Sequence, residues 1–128
     1  MKIDAISVTS SDMKKSVAFY AILGFKFPPI AGDEKHIEPM TDPGEVRLMI
    51  DDAGLIESII GKRPVPPTHS SFAMLCKSPA EVDAVFEQVK SAGFTLIKDP
   101  WDAFWGQRYA IVADPDGYMV DLFAPLPG

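Results

Sequence analysis

Two similar stretches decide the fold: SDMKKSVAFYAILGF at residues 11–25 and SPAEVDAVFEQVKSAGF at residues 78–94. In each, a serine precedes a phenylalanine by the same distance, and each stretch ends in Gly-Phe. The second opens with a capping box whose proline takes the first helical position, and its apolar residues recur at helical spacing. Gly93 suits the left-handed residue that ends a helix. The repeat therefore predicts two equivalent helices.

The strands predicted around each helix follow the same order in both halves. One strand precedes the helix, a short strand begins at its Gly-Phe, and a hairpin with an Asp-Pro turn follows. Each half is therefore predicted to be a βαβββ module. The predicted leading strands are residues 2–9 and 70–76, and the hairpins pair 35–41 with 45–51 and 107–113 with 118–124.

The length of 128 residues suits a single domain, predicted at residues 1–126. We expect the first module at residues 1–52, a linker at residues 53–68 and the second module at residues 69–126. A helical turn is expected within the linker at residues 55–60. The predicted class is α+β, with the tandem modules forming one open, barrel-like cup of eight strands.

Composition excludes several classes of partner. The formal net charge of −6 and a pI near 4.7 argue against nucleic acid and anionic membrane surfaces. No apolar run approaches the ~18 residues that span a bilayer, and the first residues lack the apolar core of a signal peptide. Cys76 is the single cysteine, so an intramolecular disulfide is impossible. We expect a cytoplasmic protein.

The two faces of the last hairpin can be assigned from its turn. If Asp114 lies opposite Tyr118, small apolar residues such as Val112 and Val120 share the face that packs under the helix. The other face mixes aromatic and polar groups, as a small-molecule pocket requires. Its predicted members are Trp105, Gln107, Tyr109, Ile111, Met119, Asp121 and Phe123.

A repeated βαβββ unit with these landmarks resembles the vicinal oxygen chelate superfamily, which includes glyoxalase I, extradiol dioxygenases, and bleomycin and fosfomycin resistance proteins. The resemblance covers residues 2–125. Its most specific stretches are DMKKSVAFY with LGF near the first helix, and WGQRY through DPDG to DLF near the carboxyl terminus. It implies a cup that is often completed by a partner subunit, hence a homodimer.

Enzymes of that superfamily hold a divalent metal through His, Glu or Gln from four strands. Carried over to this chain, the four positions fall on Ala5, Leu48, Ser71 and Asp121. Only Asp121 offers a strong ligand atom, whereas a catalytic metal needs about three protein ligands. The chain therefore looks more like the metal-free branch typified by bleomycin resistance proteins, which bind and sequester a ligand.

Two other functions stay open at this stage. His36 and His69 with Asp121 would supply two histidines and a carboxylate, enough for a metal-dependent lyase or dioxygenase using Zn, Ni, Fe or Mn. An accessory or substrate-binding subunit without turnover is the third possibility.

The leading prediction is metal-independent binding of a small, partly aromatic or amphiphilic organic molecule, without a cofactor. Aromatic side chains would stack on a planar ligand, and Asp121 would anchor it. The predicted ligand-binding residues are Trp105, Gln107, Tyr109, Asp121, Phe123, Ser71 and Leu48.

Overall fold

The computed structural model describes residues 1–66 and 71–128. The chain divides into two compact units, Met1–Pro66 and Pro67–Gly128. In the part of the chain described, no helix is both long and apolar enough to cross a bilayer. The boundaries predicted for a single domain, its modules and its linker stay predictions.

The first unit contains a three-stranded sheet in the order β1-β3-β2. Strands β1 and β3 run parallel, and β2 is antiparallel to β3. Val8 and Ile50 share the buried face of this sheet. The elements of the unit are β1 (Ala5–Ser10), α1 (Met13–Ile22), β2 (His36–Ile37), β3 (Arg47–Asp52) and α2 (Ala53–Ile60).

Helix α1 begins and ends where the repeat predicts. Asp12 is its N-cap, because Oδ1 of Asp12 accepts a hydrogen bond from the backbone N–H of Lys15 at 3.2 Å. Gly24 follows the helix with φ +103°, and the N–H of Phe25 donates to the carbonyl of Tyr20 at 3.2 Å. This is a Schellman ending, in which the Phe25 and Tyr20 rings also meet at 6.0 Å.

The strand predicted after α1 is absent from the described residues, which therefore hold seven strands rather than eight. A backbone hydrogen bond from Met40 to Lys26 is formed at 2.8 Å in this region. Pro28 and Pro29 come shortly after Lys26 in the sequence, and neither has a backbone N–H to donate to a neighbouring strand. Pro39 acts in the same way on the predicted first hairpin, where β2 is only two residues long.

The predicted helical turn in the linker is a longer helix. Helix α2 starts directly after β3, with Asp52 as its N-cap accepting from the N–H of Leu55 at 3.0 Å. Gly61 ends it in the left-handed region at φ +84°. The first half of the predicted linker is therefore helical.

The second unit has the predicted βαβββ order and a four-stranded sheet in the order β4-β7-β6-β5. Strand β4 is parallel to β7, and the last three strands form an antiparallel meander. The elements are β4 (Phe72–Leu75), α3 (Pro79–Ser91), β5 (Thr95–Ala103), β6 (Gln107–Ala113) and β7 (Met119–Pro125). Neither sheet closes into a barrel within the residues described.

Helix α3 covers one face of this sheet. Oγ of Ser78 accepts from the N–H of Glu81 at 3.2 Å, while the Glu81 carboxylate accepts from the N–H of Lys77 at 3.0 Å. In a standard capping box the Glu81 carboxylate would accept from the N–H of Ser78; here it accepts from the N–H of Lys77, one residue earlier. The bond still satisfies a backbone N–H that has no partner within the helix. The predicted apolar stripe is buried at Val82, Phe86 and Val89.

The Asp114 turn fixes the register of the final hairpin. Its Oδ1 accepts from the N–H groups of both Asp116 and Tyr118 at 2.9 Å, and Gly117 adopts φ +101°. As predicted, Val112 pairs with Val120, and both are fully buried. Because side chains alternate along a strand, this register also decides which residues occupy the other face.

Candidate ligand-binding site

The candidate site is the face of the second unit's sheet turned away from Val112 and Val120; we call it the open face. Its side chains form two rows across the four strands, with aromatic rings concentrated in the second. From β4 to β5, the first row is Ala73, Asp121, Ile111 and Lys98, and the second is Leu75, Phe123, Tyr109 and Trp101.

Five rings contact one another on and beside this face, and we call them the aromatic cluster: Trp101, Phe104, Trp105, Tyr109 and Phe123. Tyr109 is at its centre, 5.5 Å from Trp101, 5.4 Å from Trp105 and 6.0 Å from Phe123 between ring centroids. Only the Phe123 ring is stacked on Tyr109; the other rings meet edge to face. Edge-to-face and offset-stacked contacts are the arrangements that aromatic pairs prefer.

The turn between β5 and β6 places two of these rings in solvent. Gly106 adopts φ +88°, and its N–H donates to the Ala103 carbonyl at 3.0 Å. Phe104 and Trp105 occupy the turn and are 96% and 48% exposed, respectively. Large exposed aromatic surface of this kind is available for a ligand.

Two polar groups are oriented by the cluster. The Tyr109 hydroxyl donates to Oδ2 of Asp121 at 2.5 Å, and the Trp105 indole N–H donates to Oε1 of Gln107 at 2.9 Å. Burial, followed by the hydrogen bond and charge of Asp121, raises the pKa of Tyr109 to about 12. Among the described residues, Oδ1 of Asp121 and the Gln107 amide nitrogen have no partner, so each can bind a ligand.

After burial, the Asp121 carboxylate is expected to contribute to the raised pKa of Tyr109. The Tyr109 hydroxyl stays largely protonated at about pH 11, and Asp121→Asn lowers its pKa toward the ordinary 10.0 because the negative charge is removed. The absorbance of tyrosinate, corrected with Tyr109→Phe, measures this. An unchanged pKa in Asp121→Asn would contradict the assigned contact.

The structure brings most of the predicted ligand-binding residues together. Gln107, Tyr109, Asp121 and Phe123 share the open face or its margin, with Trp105 beside them. Ser71 directly precedes β4 and is exposed. Their role in binding stays a prediction.

Leu48 belongs to the sheet of the first unit, and its side chain lies on the buried face of that sheet. It aligns with Ile6, is 4% exposed and lies on the buried side with Ile50. Leu48 and Asp121 each lie four residues after the glycine of their turn, but the first turn, DPG, is one residue shorter than the second, DPDG. Counted from the turn aspartate, the residue equivalent to Asp121 is Met49, which is only partly buried.

The predicted set of binding residues contains neither Trp101 nor Lys98. Strand β5 contains register shifts on both sides of Lys98, and Pro100 interrupts its ladder. Period-two counting therefore fails along this strand. The closeness of Trp101 to Trp105 in the sequence is the signal that indicates a shared aromatic wall.

The donor atoms of the described residues do not fit the divalent metal of the superfamily's enzymes. Ala5 and Leu48 lack ligand atoms, and Asp121 already accepts from Tyr109. No group of three His, Cys, Asp or Glu side chains in residues 1–66 and 71–128 could hold a metal ion. His69, part of the alternative ligand set, lies outside the described residues.

His36, the other histidine of that set, is engaged within the first unit. Its Nδ1 meets Asp51 at 2.6 Å and its Nε2 meets Glu38 at 2.7 Å. Arg47 extends this chain by donating to Glu38 at 2.6 Å. The hydrogen bonds to Asp51 and Glu38 raise the pKa of His36, and those from His36 and Arg47 lower the pKa of Glu38.

These shifts predict a pH dependence of stability. Protonated His36 contributes its full share of the free energy of unfolding below its ordinary pKa of 6.5. This stabilisation is lost as the pH rises through the raised pKa of His36 in the folded protein. Glu38 contributes above 4.5, and its contribution is lost as pH falls through the lowered value. The free energy of unfolding of the wild type should therefore exceed that of His36→Gln by the largest amount between the two ordinary pKa values, 4.5 and 6.5.

Urea unfolding of both proteins across pH measures this difference. A difference between wild type and His36→Gln that grows above the raised pKa of His36 would contradict the assigned ion pairs.

Comparison with known proteins places this geometry in a family. The sequence model of the glyoxalase/bleomycin resistance protein/dioxygenase superfamily matches residues 2–122. The chain therefore belongs to this superfamily, as its motifs predicted. Uncharacterized proteins of Mycobacterium bovis and Mycobacterium tuberculosis are 41% identical over 46 residues. That alignment covers 36% of this chain and less than a third of each curated relative, 30% and 27% respectively.

Solved structures confirm the α+β fold of two βαβββ-like modules. A hypothetical protein of S. aureus matches with a TM-score of 0.78 at 20% identity, over 97% of this chain and 93% of its own. A glyoxalase-related enzyme of Fulvimarina pelagi matches with a TM-score of 0.81 at 19% identity, over 97% and 88%. A glyoxalase/bleomycin resistance protein/dioxygenase of Nocardioides reaches 25% identity with a TM-score of 0.72, over 100% and 85%.

Proposed function

We propose that the open face binds a small, partly aromatic organic molecule without the help of a metal. The observation that carries this proposal is the aromatic cluster, whose Phe104 and Trp105 rings are extensively exposed beside polar atoms that have no partner among the described residues. Apolar surface with a few oriented polar groups is the usual composition of a small-molecule site.

The geometry of the rings favours a planar ligand. The Trp101 and Trp105 rings meet at 89°, and the Phe104 and Trp105 rings at 85°. Rings at right angles form corners, in which a flat molecule can lie on one ring face and touch the edge of the next. Each Å² of apolar surface removed from water contributes about 25 cal/mol, so covering these rings favours binding.

Family membership supports binding but leaves the chemistry open, because one fold serves many functions. The donor set described above does not support a metal-dependent lyase or dioxygenase. Sequestration of a ligand is therefore the function that these residues serve best. The homodimer and the cytoplasmic location inferred from the sequence stay predictions.

Equilibrium dialysis with the planar probe 9-methylacridine, in buffer containing EDTA, tests the proposal. We expect saturable binding at one site per chain, with affinity unchanged when Zn, Ni, Fe or Mn replaces the EDTA. Absence of binding would contradict the proposal. Binding or turnover that needs one of these metals and is lost in Asp121→Ala would support the metal-dependent alternative.

A further inference from the structure

The charge at the centre of the open face indicates which ligands it selects. Asp121 lies between Ala73 and Ile111 in the sheet register, so its carboxylate is flanked by apolar side chains. It is partly buried and accepts one side-chain hydrogen bond, from Tyr109. No Lys or Arg of residues 1–66 and 71–128 forms an ion pair with it.

The basic side chains of the surrounding strands are engaged elsewhere. Arg108 alternates with Tyr109 and is bound to Asp83 at 3.0 Å and to Asp102 at 3.1 Å. Lys98 is on the open face, but its Nζ lies 5.2 Å from the centre of the Trp101 ring. Strand β6 separates Lys98 from Asp121, a distance of about two strand spacings or ~10 Å.

We propose that the ligand of this face is an organic cation whose charged N–H group pairs with Asp121 while its ring lies on the aromatic cluster. This inference rests on the proposed function and adds the charge of the ligand to it. A carboxylate among apolar and aromatic groups loses hydration when a ligand covers it, and a cation that hydrogen-bonds to it compensates for that loss.

Two further observations favour a cation. The Trp101 ring already holds the ammonium group of Lys98, which shows that this ring can take part in cation–π contact. The chain carries a net charge of −6, which attracts cations and repels anions at long range. A neutral ligand would cover Asp121 without compensating its charge, and an anion would meet direct repulsion.

Three acridines of similar shape test this inference: 9-aminoacridine, which is protonated at neutral pH, 9-methylacridine, which is neutral, and acridine-9-carboxylate, which is an anion. We expect 9-aminoacridine to bind about tenfold more tightly than 9-methylacridine, and the anion to bind most weakly. Isothermal titration calorimetry at low ionic strength measures the three dissociation constants.

Variants separate charge recognition from stacking. Asp121→Asn should remove the preference for 9-aminoacridine, and Asp121→Glu should keep most of it. Lys98→Ala should strengthen binding of 9-aminoacridine, because it frees the Trp101 ring and removes a like charge; Lys90→Ala, an exposed lysine on α3, is the matched control and should change nothing.

The outcomes distinguish the two proposals. Equal affinity of the wild type for the cation and the neutral probe, or a cation preference that survives Asp121→Asn, would overturn the inference and leave the binding function standing. Failure of all three probes to bind would overturn both. Circular dichroism of Asp121→Asn and Asp121→Glu confirms that each variant is folded.

Discussion

Phe19→Ala is expected to lower the free energy of unfolding by about 3–5 kcal/mol, as truncation of a fully buried aromatic ring does. Phe19 is 0% exposed on α1 and meets the Tyr20 ring at 5.0 Å. Its removal leaves a cavity that the surrounding side chains fill only in part.

Phe86→Ala on α3 should cost a similar amount, because Phe86 is the repeat's counterpart of Phe19 and is 3% exposed. Phe104→Ala is the matched control: the same truncation at a residue that is 96% exposed should change stability by less than about 0.5 kcal/mol. Urea unfolding followed by circular dichroism measures all three. Costs below about 1 kcal/mol at Phe19 and Phe86 would show that the repeat does not place equivalent rings in the two cores.

Trp105→Ala is expected to weaken binding of 9-methylacridine by about tenfold or more, since aromatic anchors contribute much of the affinity of such sites. Trp105 contacts Trp101, Phe104 and Tyr109 and is 48% exposed, so it presents ring surface to a ligand. Its truncation also frees Oε1 of Gln107 from its indole donor.

Half-exposure of Trp105 means that its loss should affect affinity far more than stability. Calorimetric titration gives the dissociation constant, and urea unfolding gives the stability of the same protein. Ile59→Ala, which truncates an exposed apolar residue on α2 of the first unit, should leave the affinity unchanged. Equal affinities for wild type and Trp105→Ala would exclude Trp105 from the site.

The parts of the structure that were predictable from the sequence are those governed by local rules. Asp12, Ser78 and the two Gly-Phe pairs define their helices through hydrogen bonds between near neighbours. The Asp114 turn fixes a register, and the register fixes the faces of the last two strands. Five of the predicted binding residues follow from that single turn and the loop before β6.

The predictions that differ from the structure are those that assign a residue to a strand or a face by counting along the sequence. Prolines occur where a strand is predicted after α1, and the described residues contain no strand there. The first turn is one residue shorter than the second, so the position carried over to Leu48 lies on the buried face. Register shifts on both sides of Lys98 prevent period-two counting from assigning Trp101 to a face. The predicted first hairpin brings His36 near Asp51, but strand pairing alone does not reveal that His36 also contacts Glu38 and that Arg47 extends the chain of ion pairs. Long-range register, unlike caps and turns, depends on tertiary packing.

The central claim is that ligands bind on the aromatic cluster, and both tryptophans of the chain belong to it. A ¹H–¹⁵N spectrum resolves the two indole N–H groups, which respond to aromatic rings placed against them. Addition of 9-methylacridine should shift both indole signals and the amides of β6 and β7 along one saturable curve. Saturable binding with both indole signals unmoved would contradict the account.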